Sequence, residues 1–179
     1  MLNAPTGITT TTIATVSSDV AYTTTEIKTN GQTSRSESDK TNFSFAFGYG
    51  SGTGNINFAT KVEGTLSSGS SQIFDLTAIP KSSFGSSYDV ELNDLKTIQV
   101  YNSSSISGYD ISLRATGANA FTNLFNGGTG NNIVKPMSSY QYSDPYDGLD
   151  VNASNKYLYI HDQGGSGASF QIIVGGILA

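Results

Sequence analysis

A chain of 179 residues and 18.8 kDa is long enough to bury one core and too short for two large domains. Ser, Thr, Asn and Gly supply 80 of those residues and charged side chains only 13%, which favours strands and turns over helices, while the 36% hydrophobic content excludes wholesale disorder. Nine basic against fourteen acidic residues leave a net charge of -5 and no electrostatic footprint for a phosphate backbone, and zero Cys excludes disulfides, thiol nucleophiles and Cys-ligated metals.

The amino end, Met1 to Pro5, lacks the basic and apolar regions of a signal peptide, and the longest mainly apolar stretch, Ile172 to Ala179, is far shorter than a membrane span. The expectation is a soluble protein with neither a nucleic-acid nor a membrane partner. Residues 1–42 read as an extended Thr/Ser-rich N-terminal arm, with runs at Thr9 to Thr12 and Thr23 to Thr25. Its apolar side chains, Ile8, Ile13, Val16, Tyr22 and Ile27, are too sparse to seed a core, so such a segment must borrow a partner. A disordered leader is the alternative, because Ser34 to Lys40 has a disordered-like composition.

Residues 43–179 read as a β-sandwich domain. Phe43, Phe45 and Phe47 alternate with small residues at the two-residue period of a half-buried strand, and Gly48 to Gly54 breaks the pattern. Ile56 to Leu66 places Ile56, Phe58, Thr60, Val62 and Gly64 on one parity, and with Gln72 to Leu76 it predicts a hairpin. Ala78 to Asp94 is rich in turn residues. Thr97 to Tyr101 and Asp110 to Arg114 predict two strands joined by the loop Asn102 to Tyr109.

Ala118 to Phe125 is the one stretch suited to a helical turn, with a left-handed stop at Asn126-Gly127-Gly128. Ile133 to Pro136 starts another strand, in which Pro136 must sit at an edge or bulge. Lys156 to Asp162 and Ser169 to Leu178 close the chain, with Tyr157, Tyr159 and His161 on one parity and Leu158 and Ile160 on the other. Eight or so strands from Phe43 onward predict one all-β antiparallel sandwich.

The residues offer little catalytic chemistry. His161, beside Asp162, is the sole histidine and the only candidate base for a hydrolytic triad, and no Gly-x-Ser-x-Gly elbow is present. A strand histidine satisfied by a neighbour is the simpler reading. Asp144, Asp147, Asp150 and Asn152 gather hard oxygen ligands, but their spacing fits no EF-hand loop, and an acidic solvated loop explains them equally. Gly48 to Gly54 lacks the Gly-Lys-Ser/Thr of a phosphate loop. Sugar stacking on the plentiful tyrosines is weighed against their more common place in cores and interfaces. The expectation is a non-enzyme with no cofactor and no metal.

The runs Ile56 to Leu66, Phe74 to Leu76, Asn119 to Phe125 and Ile133 to Pro136 resemble a group of small structural proteins in the virions of tailed bacteriophages. The ending, Leu158 to Gly167 followed by Phe170 to Gly176, is similar to their closing strand pair, so the resemblance spans about 56–177. The family's usual Pro-Gly-Gly turn is replaced here by Pro136-Met137-Ser138. The resemblance implies a jelly-roll-like sandwich on the capsid surface of a virion, acting as a decoration or cement subunit. It also implies a homotrimer, with the major capsid protein as partner. Tyr157 and Tyr159 are then expected between subunits or in the core, and Ile8, Ile13, Val16 and Ile27 on an arm that adds strands to a neighbour. The alternative is a tail, collar or fibre component that binds host-surface glycans, suggested by the Tyr-rich stretch Tyr140 to Tyr159.

Overall fold

The structure is a computed structural model, and it describes residues 12–27, 33–83, 86–128 and 130–179. Among the described residues the strands are, in chain order, β1 (Thr12–Ile27), β2 (Thr33–Tyr49), β3 (Asn55–Ile56), β4 (Phe58–Leu66), β5 (Ser71–Asp75), β6 (Ile79–Ser83) and β7 (Ser86–Val90). They continue with β8 (Leu92–Asn102), β9 (Ile111–Arg114), β10 (Asn131–Val134), β11 (Ser139–Ser143), β12 (Leu149–Asp150), β13 (Tyr157–Asp162) and β14 (Ala168–Leu178). The expected helical turn is a short 3₁₀ turn, Thr122–Phe125, and it stops where Asn126 takes a left-handed φ of 56°.

Eight of these strands form two four-stranded antiparallel layers, β4-β14-β8-β11 and β5-β13-β9-β10, and β12 extends the first by pairing with β8. The pairs are nested: β9 with β10, β8 with β11, β5 with β13 and β4 with β14. One long hairpin rolled over itself gives this order, with each pair of rolled strands adding to one of two facing sheets. That is the jelly-roll arrangement of an all-β sandwich.

Strand alternation explains why the layers face each other. Leu158 and Ile160 of β13, Ile111 and Leu113 of β9, Ile98 and Val100 of β8, and Phe170, Ile172 and Val174 of β14 join one buried cluster. Each such side chain contributes about 1.5–3 kcal/mol on leaving water. On β4 the inward parity, Phe58, Thr60, Val62 and Gly64, is the one the sequence singles out. Ile56 falls in the separate strand β3, beyond the break at Asn57.

The predicted hairpin of β4 with β5 does not form. The Ser67-to-Ser70 turn carries the chain from one layer to the other, so β4 pairs β14 and β5 pairs β13. The turn-rich segment 78–94 contains the hairpin β6–β7 and the start of β8. Pro136 lies just past the end of the edge strand β10, where its missing N–H costs no ladder bond.

The amino-terminal arm is a two-stranded ribbon. β1 and β2 pair antiparallel from Thr12↔Gly48 to Ile27↔Thr33, about 50 Å at the usual rise per residue. The partner that this arm needs is therefore supplied first by its own chain, and β2 is continuous through residues 42 and 43. At its base β2 pairs in parallel with β3, and the Gly54 N–H donates to the Pro145 carbonyl at 2.6 Å. Phe47 and Ile56 are fully buried there. Gly175 makes room for this seat on β14, since a Cβ at that position would lie 3.0 Å from both Ile56 Cδ1 and Thr97 Cγ2.

Candidate functional site

The outer face of β10-β9-β13-β5 carries the residues that the alternation sends away from the core. Register sets Tyr159 between Arg114 and Ile73, His161 between Ser112 and Ser71, and Tyr157 opposite Asp75. Ile133 of the edge strand stands beside Ser112. Ile73 and Ile133 are 51% and 52% exposed, so this face presents apolar surface to solvent around two half-buried tyrosines.

The tyrosines are held in place. Their rings meet edge to face with centroids 6.4 Å apart. The Tyr159 hydroxyl donates to the Ala118 carbonyl at 3.2 Å, against Gly117 at φ +104°, where a Cβ would stand 2.7 Å from that hydroxyl oxygen. Lys156 places its Nζ 4.8 Å from the centre of the Tyr157 ring and 3.4 Å from the Asp75 carboxylate. Lost hydration lowers the Lys156 pKa, and Asp75 and the Tyr157 hydroxyl outweigh it, so the net direction is upward. Arg114 lies along the face, its Nε donating to Ser112 Oγ at 3.0 Å and its Nη2 to Gln163 Oε1 at 2.7 Å.

The sequence singles out Tyr157 and Tyr159, and the structure sets both on this outer face. Val16 pairs with Phe45 in the ribbon and Ile27 with Thr33, while Ile13 sits at the register shift between Thr12 and Ala14. Ile8 lies outside the described residues. The ribbon residues and the tyrosines are on different sheets. Sequence reasoning missed Ile73, Ile133 and Arg114. Each has the parity opposite to a buried neighbour, Phe74, Val134 or Leu113, but which strands lie side by side is set by the roll of the fold.

His161 and Asp162 diverge, as consecutive strand residues must. His161 Nδ1 lies 2.8 Å from Ser71 Oγ on the outer face. Asp162 is 2% exposed on the inner side, where its Oδ2 accepts the N–H groups of Gly69 at 2.7 Å and Gly167 at 2.9 Å. Asp162 therefore does not back the histidine in the manner of a hydrolytic triad. Burial alone would raise the Asp162 pKa, and the N–H donors of Gly167, Gly69 and Gly165 outweigh it and hold the carboxyl below its ordinary value. The carboxylate thus clamps the turn after β4 to the loop before β14.

The acidic segment after β11 does not gather its oxygens. Asp144 Oδ1 accepts the Tyr146 N–H at 2.9 Å, and Asp150 Oδ2 accepts from Asn152 Nδ2 at 2.5 Å, both as local turn bonds. Among the described residues no three His, Cys, Asp or Glu side chains come together in a metal-binding group. Gly50 to Gly54 forms the loop between β2 and β3, with the N–H of Gly48 near the end of β2 bonded to the Gly54 carbonyl at 3.0 Å. Among the described residues no helix is long and apolar enough to cross a membrane.

No protein-family model and no curated protein matches the chain. Among solved structures it is similar to a crystal structure of PirA at 16% identity, over 68% of this chain and 99% of that one, with a TM-score of 0.34. A likeness at that level carries no inference about fold, activity or partner.

Proposed function

We propose that the chain is a non-enzymatic structural protein of a virion, decorating or cementing the outer surface of a tailed-bacteriophage head. The observation that carries this reading is the outer face of β10-β9-β13-β5, where the packed pair Tyr157 and Tyr159 lies between exposed Ile73 and Ile133 on the two edge strands, aromatic and aliphatic surface of the kind that marks association surfaces. The resemblance of residues 56–177 to small virion proteins supports the same reading, and so does a jelly-roll body bearing a long ribbon.

Cementing acts by covering junctions between capsid subunits, where many weak symmetric contacts add up through effective concentration. The patch serves contacts between copies, which the proposed homotrimer requires. The ribbon reaches the major capsid protein, offering for pairing the strand edges that are unpaired among the described residues. Mass spectrometry and gel stoichiometry of purified particles test the proposal. The expected result is a copy number comparable to that of the capsid lattice positions. Absence from the particle, or only a few copies, would overturn it.

A further inference from the structure

Four connections meet at one end of the sandwich: the turn after β4, the loop from Ser103 to Asp110, the turn after β10 and the loop from Gln163 to Gly167. Between the second and fourth of these lies an open hollow of about 430 Å³, which continues along β4 and β14 into a second of about 350 Å³ through the shared Thr65, Ser103 and Ser169. Volumes of about 300–1000 Å³ are those of small-molecule sites.

The chemistry of the larger hollow is uniform. Its lining contains no charged side chain among the described residues. Six serine and threonine side chains border it: Ser104 Oγ accepts the Ser169 N–H, and among the described residues the hydroxyls of Thr65, Ser103, Ser105, Ser166 and Ser169 are engaged in no hydrogen bond within the protein. Each rotates freely and both donates and accepts. Ile106, 56% exposed, and the half-buried Tyr109 add apolar surface.

The wall is built to hold its shape. Asn102, fully buried, donates to the Tyr109 carbonyl at 2.7 Å and the Val134 carbonyl at 3.0 Å, and its Oδ1 accepts the Ser104 N–H at 3.1 Å. One amide thereby fixes both ends of the loop from Ser103 to Tyr109. The loop is stitched to β14 as well: the Ser103 N–H donates to the Ser169 carbonyl at 2.9 Å, and the Ser169 N–H to Ser104 Oγ at 2.9 Å. Across from it Gly164 packs so tightly on Gly108 that a Cβ would lie 1.6 Å from the Gly108 carbonyl oxygen. A fixed wall lowers the ordering cost of binding.

We propose that this hollow binds a neutral saccharide, whose hydroxyls exchange hydrogen bonds with Ser103, Ser105, Ser166 and Ser169 while its C–H face rests on Ile106 and Tyr109. A phosphorylated or sulfated ligand would meet no cation here, and a purely apolar one would strand five hydroxyls. A sugar ring combines hydroxyls that donate and accept with an apolar face, which is the combination the hollow offers. The site is separate from the outer sheet face, so the inference goes beyond attachment to a head.

The test is saturation-transfer NMR and calorimetric titration of the full chain with glucose, galactose, mannose, N-acetylglucosamine and their disaccharides, with sialyllactose and a heparin tetrasaccharide as anionic counterparts. At least one neutral sugar is expected to bind, with affinity reduced about tenfold in Ser105→Ala/Ser166→Ala, the loss of two or so hydrogen bonds. Both positions are exposed, so the melting temperature and retention on particles should stay unchanged. Ile106→Ala, also exposed, is a second variant expected to weaken binding. No binding of any neutral sugar at millimolar concentration, preference for the anionic sugars, or binding that survives both variants would overturn the proposal. Particle retention reads the sheet face and the ribbon and sugar titration reads the hollow, so each reading fails on its own.

Discussion

Gly64 of β4 and Phe170 of β14 are register partners, and a Cβ at Gly64 would stand 2.5 Å from Phe170 Cζ. The glycine is thus the space into which the buried ring lies, close to the Gln72 side chain at the neighbouring layer. Gly64→Val should force the ring off its rotamer and destabilise the fold by about 1–3 kcal/mol. Calorimetric melting checks it, and a variant melting with the wild type would mean that the ring has another place to go.

Asn102 is the second position at which one residue fixes a large piece of structure. Asn102→Ala leaves the Tyr109 and Val134 carbonyls and the Ser104 N–H without their partner at a fully buried site. A loss of about 2–4 kcal/mol is expected in chemical denaturation. Hydrogen exchange should quicken first in the loop from Ser103 to Tyr109, which the amide ties down at both ends. Uniform exchange across the sandwich would contradict this anchoring role.

Much of the fold is legible in the chain because the two-residue period survives wherever one strand face is buried. β13 is the clearest instance, since Leu158 and Ile160 fill the core and Tyr157, Tyr159 and His161 take the outer face, as their parity predicts. The left-handed stop at Asn126 is equally local. Sheet membership is not local. Ser67 to Ser70 would close a hairpin as readily as it crosses between layers, and only the packing of β14 on β4 and β13 on β5 decides it. The ribbon was hidden for a related reason: Ser34 to Lys40 carries almost no apolar signal, yet Arg35 to Lys40 lies in register with Glu26 to Ala21. The hydroxyls of the hollow were masked by a chain already crowded with Ser and Thr.

Asp162 makes the stability pH-dependent in a defined direction. Its folded pKa lies below its ordinary value, because the glycine N–H donors outweigh burial, so its contribution is present above the ordinary carboxylate range and is lost as pH falls through the folded pKa. The change should begin near pH 5 and deepen below about pH 4. Asp162→Asn keeps the shape without the charge, and should be less stable than wild type at pH 7 and flatter in acid. Parallel curves of denaturation midpoint against pH for the two proteins would show that the clamp does not titrate with this group.

On the outer sheet face, Ile73→Lys/Ile133→Lys changes two half-exposed side chains at the edge strands β5 and β10. The fold should lose no more than about 0.5 kcal/mol per substitution. Association of copies should weaken by tenfold or so, since each charge has to be dehydrated on contact. Sedimentation velocity at several concentrations reads the difference. Wild-type protein that stays monomeric both alone and on particles, or a variant that associates as well as wild type, would remove this face from the interface.

The ribbon gives the last prediction. Its two strands satisfy each other along the shared ladder from Thr12↔Gly48 to Ile27↔Thr33, which among the described residues leaves an unpaired edge on β1 and, above its short pairing with β3, on β2. Two strands alone are marginal in water, so a third from another subunit would stabilise the ribbon while joining the two proteins. A chain beginning at Asn42 retains Phe47, Ile56 and the parallel pairing of β2 with β3, and so keeps the seat of the ribbon on β14. Its melting temperature should match that of the full chain and its circular dichroism should keep the β signal of the sandwich, because the buried cluster draws on residues from Phe58 onward. Retention on purified heads should fall at least tenfold, with the larger change in dissociation rate, as expected when an anchoring contact is removed. Failure of the shortened chain to fold would make the ribbon an integral part of the sandwich. Undiminished retention would leave the outer sheet face as the attachment surface and the ribbon without an anchoring role.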